Sequence, residues 1–325
     1  TRRGLLQGIA AGSVLMGCTN NKSDTGSLEG IGLREEEPAP WQPSQEESRA
    51  LFPYGVRVGD ATSDSAIVAI YTTEDAESSS FQVQKGGMTG WVADQEGTVN
   101  IIDGHGQIEL TSLKSDTAYS IIFLSSDGEM RSQVTRFRTA LSDEDWRIVT
   151  FGATSCLGGN LPWPSLTQAK NDQYDFFCLL GDTVYANATS KSEYWDYWDY
   201  VLQQDGLYDL FSASSVTSTW DDHEIVNNFN WNDFSNADER FENALWAFRR
   251  GLPQRQRSER QIWRKISHGK VLDIFVLDCR GERRGTNYIS DEQMSWLKEE
   301  LEGSGARFKI MMNSVPITDY EALLQ

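Results

Sequence analysis

The sequence is poor in cysteine, in basic residues and in long hydrophobic runs. Its 325 residues contain only four cysteines, namely Cys18, Cys156, Cys178 and Cys279. If Cys18 is modified, an odd number of thiols is left, which is a poor disulfide framework for an exported protein. At least one of the remaining thiols is therefore expected to be free, buried or bound to a metal.

Basic residues are outnumbered by acidic ones. There are 29 Lys and Arg against 48 Asp and Glu, which gives a net charge of −19. This balance argues against a partner bound through a nucleic-acid phosphate backbone. A hydrophobic fraction of 39% and eleven tryptophans indicate a folded globular protein with a sizeable core. The length suits two domains or one large domain, and we expect a monomer.

The N-terminal segment has the pattern of an export signal. Two arginines precede an apolar run over residues 4–17, which is too short to span a membrane as a mature helix. The stretch TRRGLL resembles a twin-arginine signal, and LMGC, which ends at Cys18, resembles a bacterial lipobox. Residues 1–18 are therefore predicted to be a lipoprotein signal, and residues 19–50 a flexible acidic linker. We expect an exported protein, in the periplasm or at the cell surface, that meets the membrane only through its lipid anchor.

Residues 51–140 consist of short alternating segments broken by Gly, Asp and Ser clusters. Their spacing of roughly eight to twelve residues is typical of an antiparallel β-sandwich. Tyr119 enters a strand a few residues after Leu113, which resembles the tyrosine corner of fibronectin type III domains. No catalytic cluster occurs here, and His105 is predicted to be an exposed turn residue. The segment is predicted to be a fibronectin type III-like sandwich that folds separately.

From residue 146 onward, continuous apolar runs alternate with helical patterns. RIVTFGA, YDFFCLLGD and VLDIFVLD predict buried strands, whereas SEYWDYWDYVLQQ and ERFENALWAFRR predict amphipathic helices. This alternation predicts an α/β sheet covered on both faces. Ser290 and Gln293, three residues apart, are predicted to form a capping box at a further helix. The expected architecture is multi-domain, with an all-β sandwich followed by an α/β domain over residues 146–325.

Potential metal ligands follow three successive strand runs of this second part. They are Cys156 after the first run, Asp182 and Tyr185 in GDTVY after the second, and Asp221, Asp222, His223 and Glu224 in TWDDHE after the third. Ligands of α/β sheets bind at the carboxyl ends of the strands, so we expect these side chains to lie close together. Gly181 lets the backbone turn sharply just before Asp182.

This order of strand ends resembles the calcineurin-like metallophosphatases, whose motifs run D-x-H, G-D-x-x-D and G-N-H-E. The chain departs from all three, and its SC, GDTVY and DDHE stretches resemble the PhoD-like alkaline phosphatase and phosphodiesterase family. LDCRGER, QMSWLKEEL and RFKIMMNSVP are also similar to that family. The resemblance covers residues 50–325. It implies a metallophosphatase that hydrolyses phosphate monoesters or diesters by attack of a metal-activated water.

The resemblance further implies two cations, ferric iron and calcium. Thiolate and phenolate suit a trivalent iron, so Cys156 and Tyr185 are expected to bind it. Asp182 is expected to bridge the iron to calcium. Asp222 and Asn228 would supply oxygen ligands to calcium, and Asn228 fits equally well a polar loop that caps the next helix.

His223 stands where the G-N-H-E histidine of the superfamily stands. Its imidazole is expected to contact the phosphate or to donate a proton to the leaving group, the alternative being a buried structural histidine. Arg280 fits a phosphate-binding role through its fork of donors, and it fits equally an ion pair with Asp222 or Glu224 that fixes the loop. Asp221 and Glu224 are expected to orient the ligands.

The expected substrates are small phosphoesters, or the diesters of phospholipids or nucleotides. A later histidine-bearing segment of the family does not occur between Asn313 and Gln325, so the domain over residues 146–325 is expected to be incomplete. The competing interpretation is a lipid-anchored surface binding protein whose phosphatase domain is degenerate and inactive. The retained Cys156, Asp182 and Tyr185 argue against it, because a decaying site would lose its unusual ligands first.

Cleavage before Cys18 and acylation of its sulfur are the expected fate of the N terminus, because TRRGLL and LMGC occur in the order of an export signal. Mass spectrometry of the native protein should find an acylated Cys18 as the first residue. Cys18→Ser should remove the acyl group. A mature protein that still carries residues 1–17 would contradict this assignment.

Overall fold

A computed structural model describes residues 34–159 and 161–315. The predicted signal, Cys18 and the first part of the linker lie outside these residues, so export and acylation stay predictions. Among the described helices, none has the length and apolar character needed to cross a membrane.

The first part of the chain is all strand. Its elements are β1 (Glu46–Glu47), β2 (Arg57–Gly59), β3 (Ala66–Tyr71), β4 (Ser78–Gly87), β5 (Gly90–Asn100), β6 (His105–Leu110), β7 (Ala118–Leu124), β8 (Met130–Arg131) and β9 (Thr135–Arg138). One sheet has the order β1-β8-β7-β4-β5, with β9 paired to β7. It packs on the strands β2, β3 and β6 across an apolar core that includes Val58, Val68 and Ile121. The predicted sandwich is therefore two layers of sheet. The Tyr119 hydroxyl accepts a hydrogen bond from the Lys114 amide at 2.7 Å.

The second part mixes strands and helices. Its elements are β10 (Phe151–Thr154), α1 (Pro164–Ala169), β11 (Phe176–Leu179), α2 (Lys191–Leu202), α3 (Asp205–Ala213), β12 (Val216–Ser218), α4 (Ala237–Gly251), β13 (Arg264–His268), β14 (Leu272–Val276), α5 (Asp291–Gly303) and β15 (Phe308–Met312). The parallel strands β10, β11 and β12 carry helices on one face, where Phe177 and Leu179 are buried. The sheet β13-β14-β15 covers the other face, where Phe176 and Cys178 are buried. The parallel sheet is therefore covered on both faces, as predicted, by helices on one face and by a second sheet on the other.

One sheet runs through both parts of the chain. Its order is β10-β11-β12-β2-β3-β6, so the parallel strands continue directly into a layer of the sandwich. The joint is the parallel pairing of β12 with β2, where Val216 lies opposite Gly59. The Asp60 amide donates to the Val216 carbonyl at 3.1 Å. The sequence predicted that the sandwich and the α/β part fold separately, whereas the structure shows one β-sheet to which both contribute strands.

The start of α5 differs in one detail from the predicted capping box. The Ser290 hydroxyl accepts from the Gln293 amide at 3.1 Å, as the box requires. The Gln293 side chain does not return to Ser290, because it bonds the Asp278 backbone and donates to Glu282 instead. The Ser290 amide donates to Glu282 at 2.9 Å. Half of the box forms, and the other half is replaced by a buried network that reaches toward the strand ends.

A buried ion pair ties the sandwich to the second part. Asp60, at the end of β2, accepts from Arg264 of β13 through two parallel bonds of 2.6 and 2.7 Å. Both side chains are almost wholly excluded from solvent. A bidentate pair of this kind satisfies both charges, and its loss on one side leaves the other charge buried without compensation.

Arg264→Met should lower the free energy of unfolding by about 3–5 kcal/mol, because the Asp60 carboxylate would stay buried without its counter-charge. Urea or thermal unfolding followed by circular dichroism measures the effect. Arg260→Met is the matched control, since Arg260 pairs with Asp238 and Glu242 at the surface and should unfold close to the native protein. Equal stability of the two variants would contradict a structural role for the buried pair.

Candidate metal centre

The carboxyl ends of β10, β11 and β12 meet in one place through backbone hydrogen bonds between their loops. The Cys156 amide donates to the Gly181 carbonyl at 3.1 Å, and the Leu157 amide to the Asp182 carbonyl at 2.8 Å. The Ala186 amide donates to the His223 carbonyl at 2.9 Å. Three loops that are distant in sequence are thereby fixed against one another.

Asp182 lies at the centre of this place. The Cys156 thiol is 3.5 Å from Asp182 Oδ2, and the Tyr185 hydroxyl is 3.3 Å from the same oxygen. Cys156 is exposed and does not lie in the core, whereas Cys178 and Cys279 are buried. Two of the predicted iron ligands, Cys156 and Tyr185, therefore approach one oxygen of the third, Asp182.

A second group of potential metal ligands includes the same carboxylate. Asp182, Asp222 and His223 each offer one ligand atom, and these atoms lie within 4.8 Å of one another. The His223 ring is 4.2 Å from the Tyr185 ring, centroid to centroid. Asp222 accepts a short hydrogen bond from the backbone amide of Asn228. Asn228 itself is exposed, and its contact with Asp222 is made by the backbone amide and not by the side chain that was expected to bind calcium.

The donor set fits the two cations that the sequence predicted. Sulfur and phenol oxygen beside a carboxylate suit a trivalent, electron-poor metal, and a cluster of carboxylates suits a hard cation such as calcium. Cys156 and Asp182 both adopt left-handed backbone conformations, with φ of 56° and 54°. Such conformations cost free energy for residues other than glycine, and they are found where side chains are held for function. The identities of the ions stay predictions.

Gly181 is required by a close approach of two strand ends. Its φ is 103°, and a Cβ added there would lie 2.6 Å from the Asp221 amide nitrogen. No side chain fits in that space. Glycine therefore allows the loop after β11 to pass directly against the loop after β12, which brings Asp182 near Asp222.

Glu224 joins the same two loops by hydrogen bonds. Its carboxylate is fully buried and accepts from the amides of Asp182 (3.0 Å), Thr183 (2.6 Å) and Asp221 (3.0 Å). Burial raises the pKa of Glu224 to about 8, against the lowering effect of these amides, and the neighbouring Asp182 adds to the rise. The orienting role that the sequence assigned to Glu224 corresponds to these three bonds.

Arg280 forms an ion pair at the edge of the centre. Its Nε donates in a short hydrogen bond to Asp221, and its Nη2 lies 3.9 Å from Asp222. The sequence left open a phosphate-binding role or an ion pair with Asp222 or Glu224. The main partner is instead Asp221, on the loop after β12, and Asp222 is a more distant second partner.

A network that the sequence analysis missed positions Arg280. The buried Asp278 carboxylate accepts from the Trp220 indole at 2.7 Å and from the Gly281 amide at 2.7 Å. Burial raises the pKa of Asp278 to about 7. The Gln293 side chain holds the Asp278 backbone on both its amide and its carbonyl. The only signal in the sequence was an acidic residue at the end of the strand VLDIFVLD.

The thiol and the phenol of the centre are not acidic by themselves. Cys156 is exposed as a residue, but partial desolvation of its thiol raises the pKa, and the Asp182 carboxylate adds to the rise. Burial likewise raises the pKa of Tyr185, followed by the charge of Asp182. Both groups must lose a proton before they can bind a cation as anionic ligands, so uptake of metal is expected to release protons.

Glu224→Gln should weaken metal binding by about tenfold or more, because an amide NH₂ would face a backbone N–H in place of an accepting oxygen. The metal content after dialysis against graded chelator concentrations measures the loss. Glu239→Gln makes the same substitution on the exposed face of α4, away from the centre, and should bind metal as the native protein does. Equal metal retention by the two variants would show that the Glu224 bonds do not shape the centre.

Comparison with known proteins gives this geometry a context. The structure is similar to that reported as "Structure of PhoD", with a TM-score of 0.72 and 19% identity over 84% of this chain. It is also similar to the purple acid phosphatase PPD1 from yellow lupin (Lupinus luteus) seeds, with a TM-score of 0.57 and 14% identity over 79% of this chain. At these identities the similarity shows a common fold. The chain spans 63% of the PhoD chain and 50% of the purple acid phosphatase chain.

A family model supplies the assignment that fold alone does not. No curated protein sequence matches the chain. The model of the PhoD-like phosphatases matches residues 151–324, which is more than half of the sequence and includes all the strand ends described above. The chain belongs to the PhoD-like phosphatase family.

Proposed function

We propose that the protein is a metal-dependent phosphoesterase that hydrolyses phosphate monoesters, diesters or both. The observation that carries this proposal is the position of the Asp182 carboxylate. Cys156 and Tyr185 contact its Oδ2, and Asp182, Asp222 and His223 each offer one potential ligand atom within 4.8 Å of the others. A carboxylate shared by two unlike donor groups is the arrangement that holds two unlike cations side by side.

Ferric iron is proposed for the Cys156 and Tyr185 side, and calcium for the Asp222 side. When bound, the two cations would neutralise phosphoryl oxygens and activate a water for in-line attack. The protein's own part is to hold the donors in place. Its loops do so through the Glu224 bonds and the backbone bonds between strand ends.

His223 is the proposed proton donor to the leaving group. Its backbone amide lies 3.4 Å from Asp182 Oδ1, so the residue is held against the carboxylate that both donor groups share. Its side chain is half-buried and not enclosed in the core, which leaves the imidazole able to reach a substrate. A general acid in this position would protonate the departing alkoxide.

Arg280 acts mainly as a positioning residue in this proposal. Its guanidinium Nε donates to Asp221, and its backbone amide donates to the Asp278 carboxylate, which fixes the turn. The Nη2 group, at 3.9 Å from Asp222, lies beside the proposed calcium ligand. Arg280 thereby balances part of the negative charge that the carboxylates bring together, and its remaining donors can face a bound phosphate.

The protein loaded with iron and calcium should hydrolyse p-nitrophenyl phosphate or bis(p-nitrophenyl) phosphate. It should also absorb visible light, because a phenolate bound to ferric iron shows charge transfer. Tyr185→Phe should alter or remove that band. Asp182→Asn should lose both metals and the activity, because the shared carboxylate would lose its charge. His223→Asn should keep both metals and lose about 10²-fold or more in rate.

Metal content, visible spectrum and rate are measured on the same samples. Glu239→Gln serves as the control that changes none of the three. A colourless, metal-free native protein, or an Asp182→Asn variant with native activity, would refute the proposed centre. Loss of metal in His223→Asn would assign His223 to coordination and not to proton transfer.

A further inference from the structure

A short hairpin after β14, residues 280–288, carries three arginines beside the candidate metal centre. Its tip is closed by two backbone hydrogen bonds between Arg284 and Asn287, of 2.9 and 3.1 Å. Its first residue, Arg280, pairs with Asp221 and so joins the hairpin to the loop after β12. The hairpin is therefore an ordered part of the edge of the centre.

A second loop also holds this hairpin. The Asn230 side chain exchanges two hydrogen bonds with the Gly285 backbone, accepting at 3.1 Å and donating at 3.3 Å. The Trp231 amide donates to the Arg283 carbonyl at 3.3 Å. The Trp231 indole donates to the Gly281 carbonyl at 2.6 Å. These bonds fix the backbone from which the Arg283 side chain extends.

The Arg283 side chain is held by an aromatic ring and not by a carboxylate. Its guanidinium carbon lies 4.9 Å from the centroid of the Tyr288 ring. Its Nε is buried without a hydrogen-bond partner, while the residue as a whole is partly exposed. In the part of the chain that the structure describes, no oxygen accepts from this guanidinium. A guanidinium that lies over a ring keeps its N–H groups, which point outward in its own plane, available to an anion.

Glu282, the acidic residue next to Arg283, is already engaged. It accepts from the side chains of Trp263 and Gln293 and from the Ser290 amide, at 2.8, 2.6 and 2.9 Å. It therefore belongs to the network at the start of α5 and is not a counter-charge for the hairpin. In a chain with a net charge of −19, Arg283 thus has no acidic partner among the described residues.

Tyr288 connects Arg283 with the centre. Burial lowers the pKa of Arg280, but the hydrogen bond and the charge of Asp221 raise it above its usual value. Asp222 and Tyr288 add to that rise, so the Tyr288 phenol lies near the Arg280 guanidinium. The Nη2 of Arg280 is 3.9 Å from Asp222. Because Tyr288 is 40% exposed, the two guanidinium groups on either side of it can be reached from solvent.

We propose that Arg283 binds a second anionic group of the substrate, so that the protein prefers small phosphoesters that carry two phosphates. This inference rests on the proposed phosphoesterase function and names its substrate class. The phosphate to be cleaved would lie at the metal centre beside Arg280, and the second phosphate would accept from the N–H groups of Arg283. A doubly charged substrate is repelled by the overall negative charge of the protein, and a second guanidinium offsets that repulsion.

The test compares a single phosphate with paired phosphates on the metal-loaded protein. Calorimetry measures the Kd of ethylphosphonate and of alkane-diyl bisphosphonates with carbon chains of increasing length, none of which can be hydrolysed. Phosphate release measures kcat/KM for the corresponding phosphate esters. One chain length should bind about tenfold or more tightly than ethylphosphonate, and its ester should show the gain mainly in KM.

Arg283→Gln should bind and cleave the paired phosphates no better than the single phosphate, because the second anionic group loses its partner. Arg283→Lys should keep part of the gain, since the charge remains and the planar fork of donors is lost. Arg257→Gln removes the same charge at an exposed position of the loop between α4 and β13, and should keep the native ratio of the two affinities.

The ratio of the two affinities separates a binding role from a structural one. A structural role of Arg283 would weaken both ligands equally and leave the ratio unchanged, which would overturn the proposal. No gain at any chain length in the native protein would also overturn it. Native preference for paired phosphonates without hydrolysis of any ester would refute the phosphoesterase function and support the Arg283 site. Hydrolysis without that preference would refute the Arg283 site alone.

Discussion

The Glu224 carboxylate, with its three backbone amide donors, is the interaction on which the candidate centre depends. It accepts from Asp182 and Thr183 on the loop after β11 and from Asp221 on the loop after β12. A carboxyl group with no exposure to solvent is costly unless it is hydrogen-bonded, and three backbone amides offset part of that cost, although the pKa of Glu224 stays raised. They also orient two carboxylates that would repel each other if the loops were free. The left-handed backbone of Asp182 is tolerated because the amides on both sides of its Cα are already bound.

The balance of charge around this anchor explains why cations are expected. Asp182, Asp221, Asp222 and Glu224 lie together, and Arg280 is the basic residue that the described structure pairs with them. One guanidinium does not balance four carboxyl groups in a partly buried place. Like-charged carboxylates at short distance either take up protons or bind cations. A thiol and a phenol beside Asp182 add two further groups that become anionic on binding. The site therefore has the electrostatics of a cation centre before any ion is considered.

Sequence predicted the centre better than the architecture around it, for a physical reason. Carboxyl ends of parallel strands meet at one edge, so Cys156, Asp182 and Asp222 could be placed together from strand order alone. The joint between β12 and β2 could not be predicted in this way. It consists of one pairing of Val216 with Gly59, which does not change the hydrophobic periodicity of either segment. The prediction of an exposed His105 was wrong for a similar reason, since Trp195, which covers its ring, lies ninety residues away in the sequence. Contacts between distant segments decide these features, and local patterns do not report them.

The shared sheet gives the sandwich a role, although none of its side chains belongs to the centre. Asp60, at the end of the sandwich strand β2, binds Arg264, and the same guanidinium donates to the Ser218 carbonyl at 3.1 Å. Ser218 is the last residue of β12, from which the loop bearing Asp221 and Asp222 leaves. The Thr219 hydroxyl then bonds the Leu277 carbonyl of the neighbouring sheet at 2.6 Å. The strand end that positions the candidate ligands is thus held from the sandwich on one side and from β14 on the other. A sandwich fused to the sheet in this way supports the loop that carries Asp221 and Asp222, which is a structural role and needs no catalytic cluster in the sandwich.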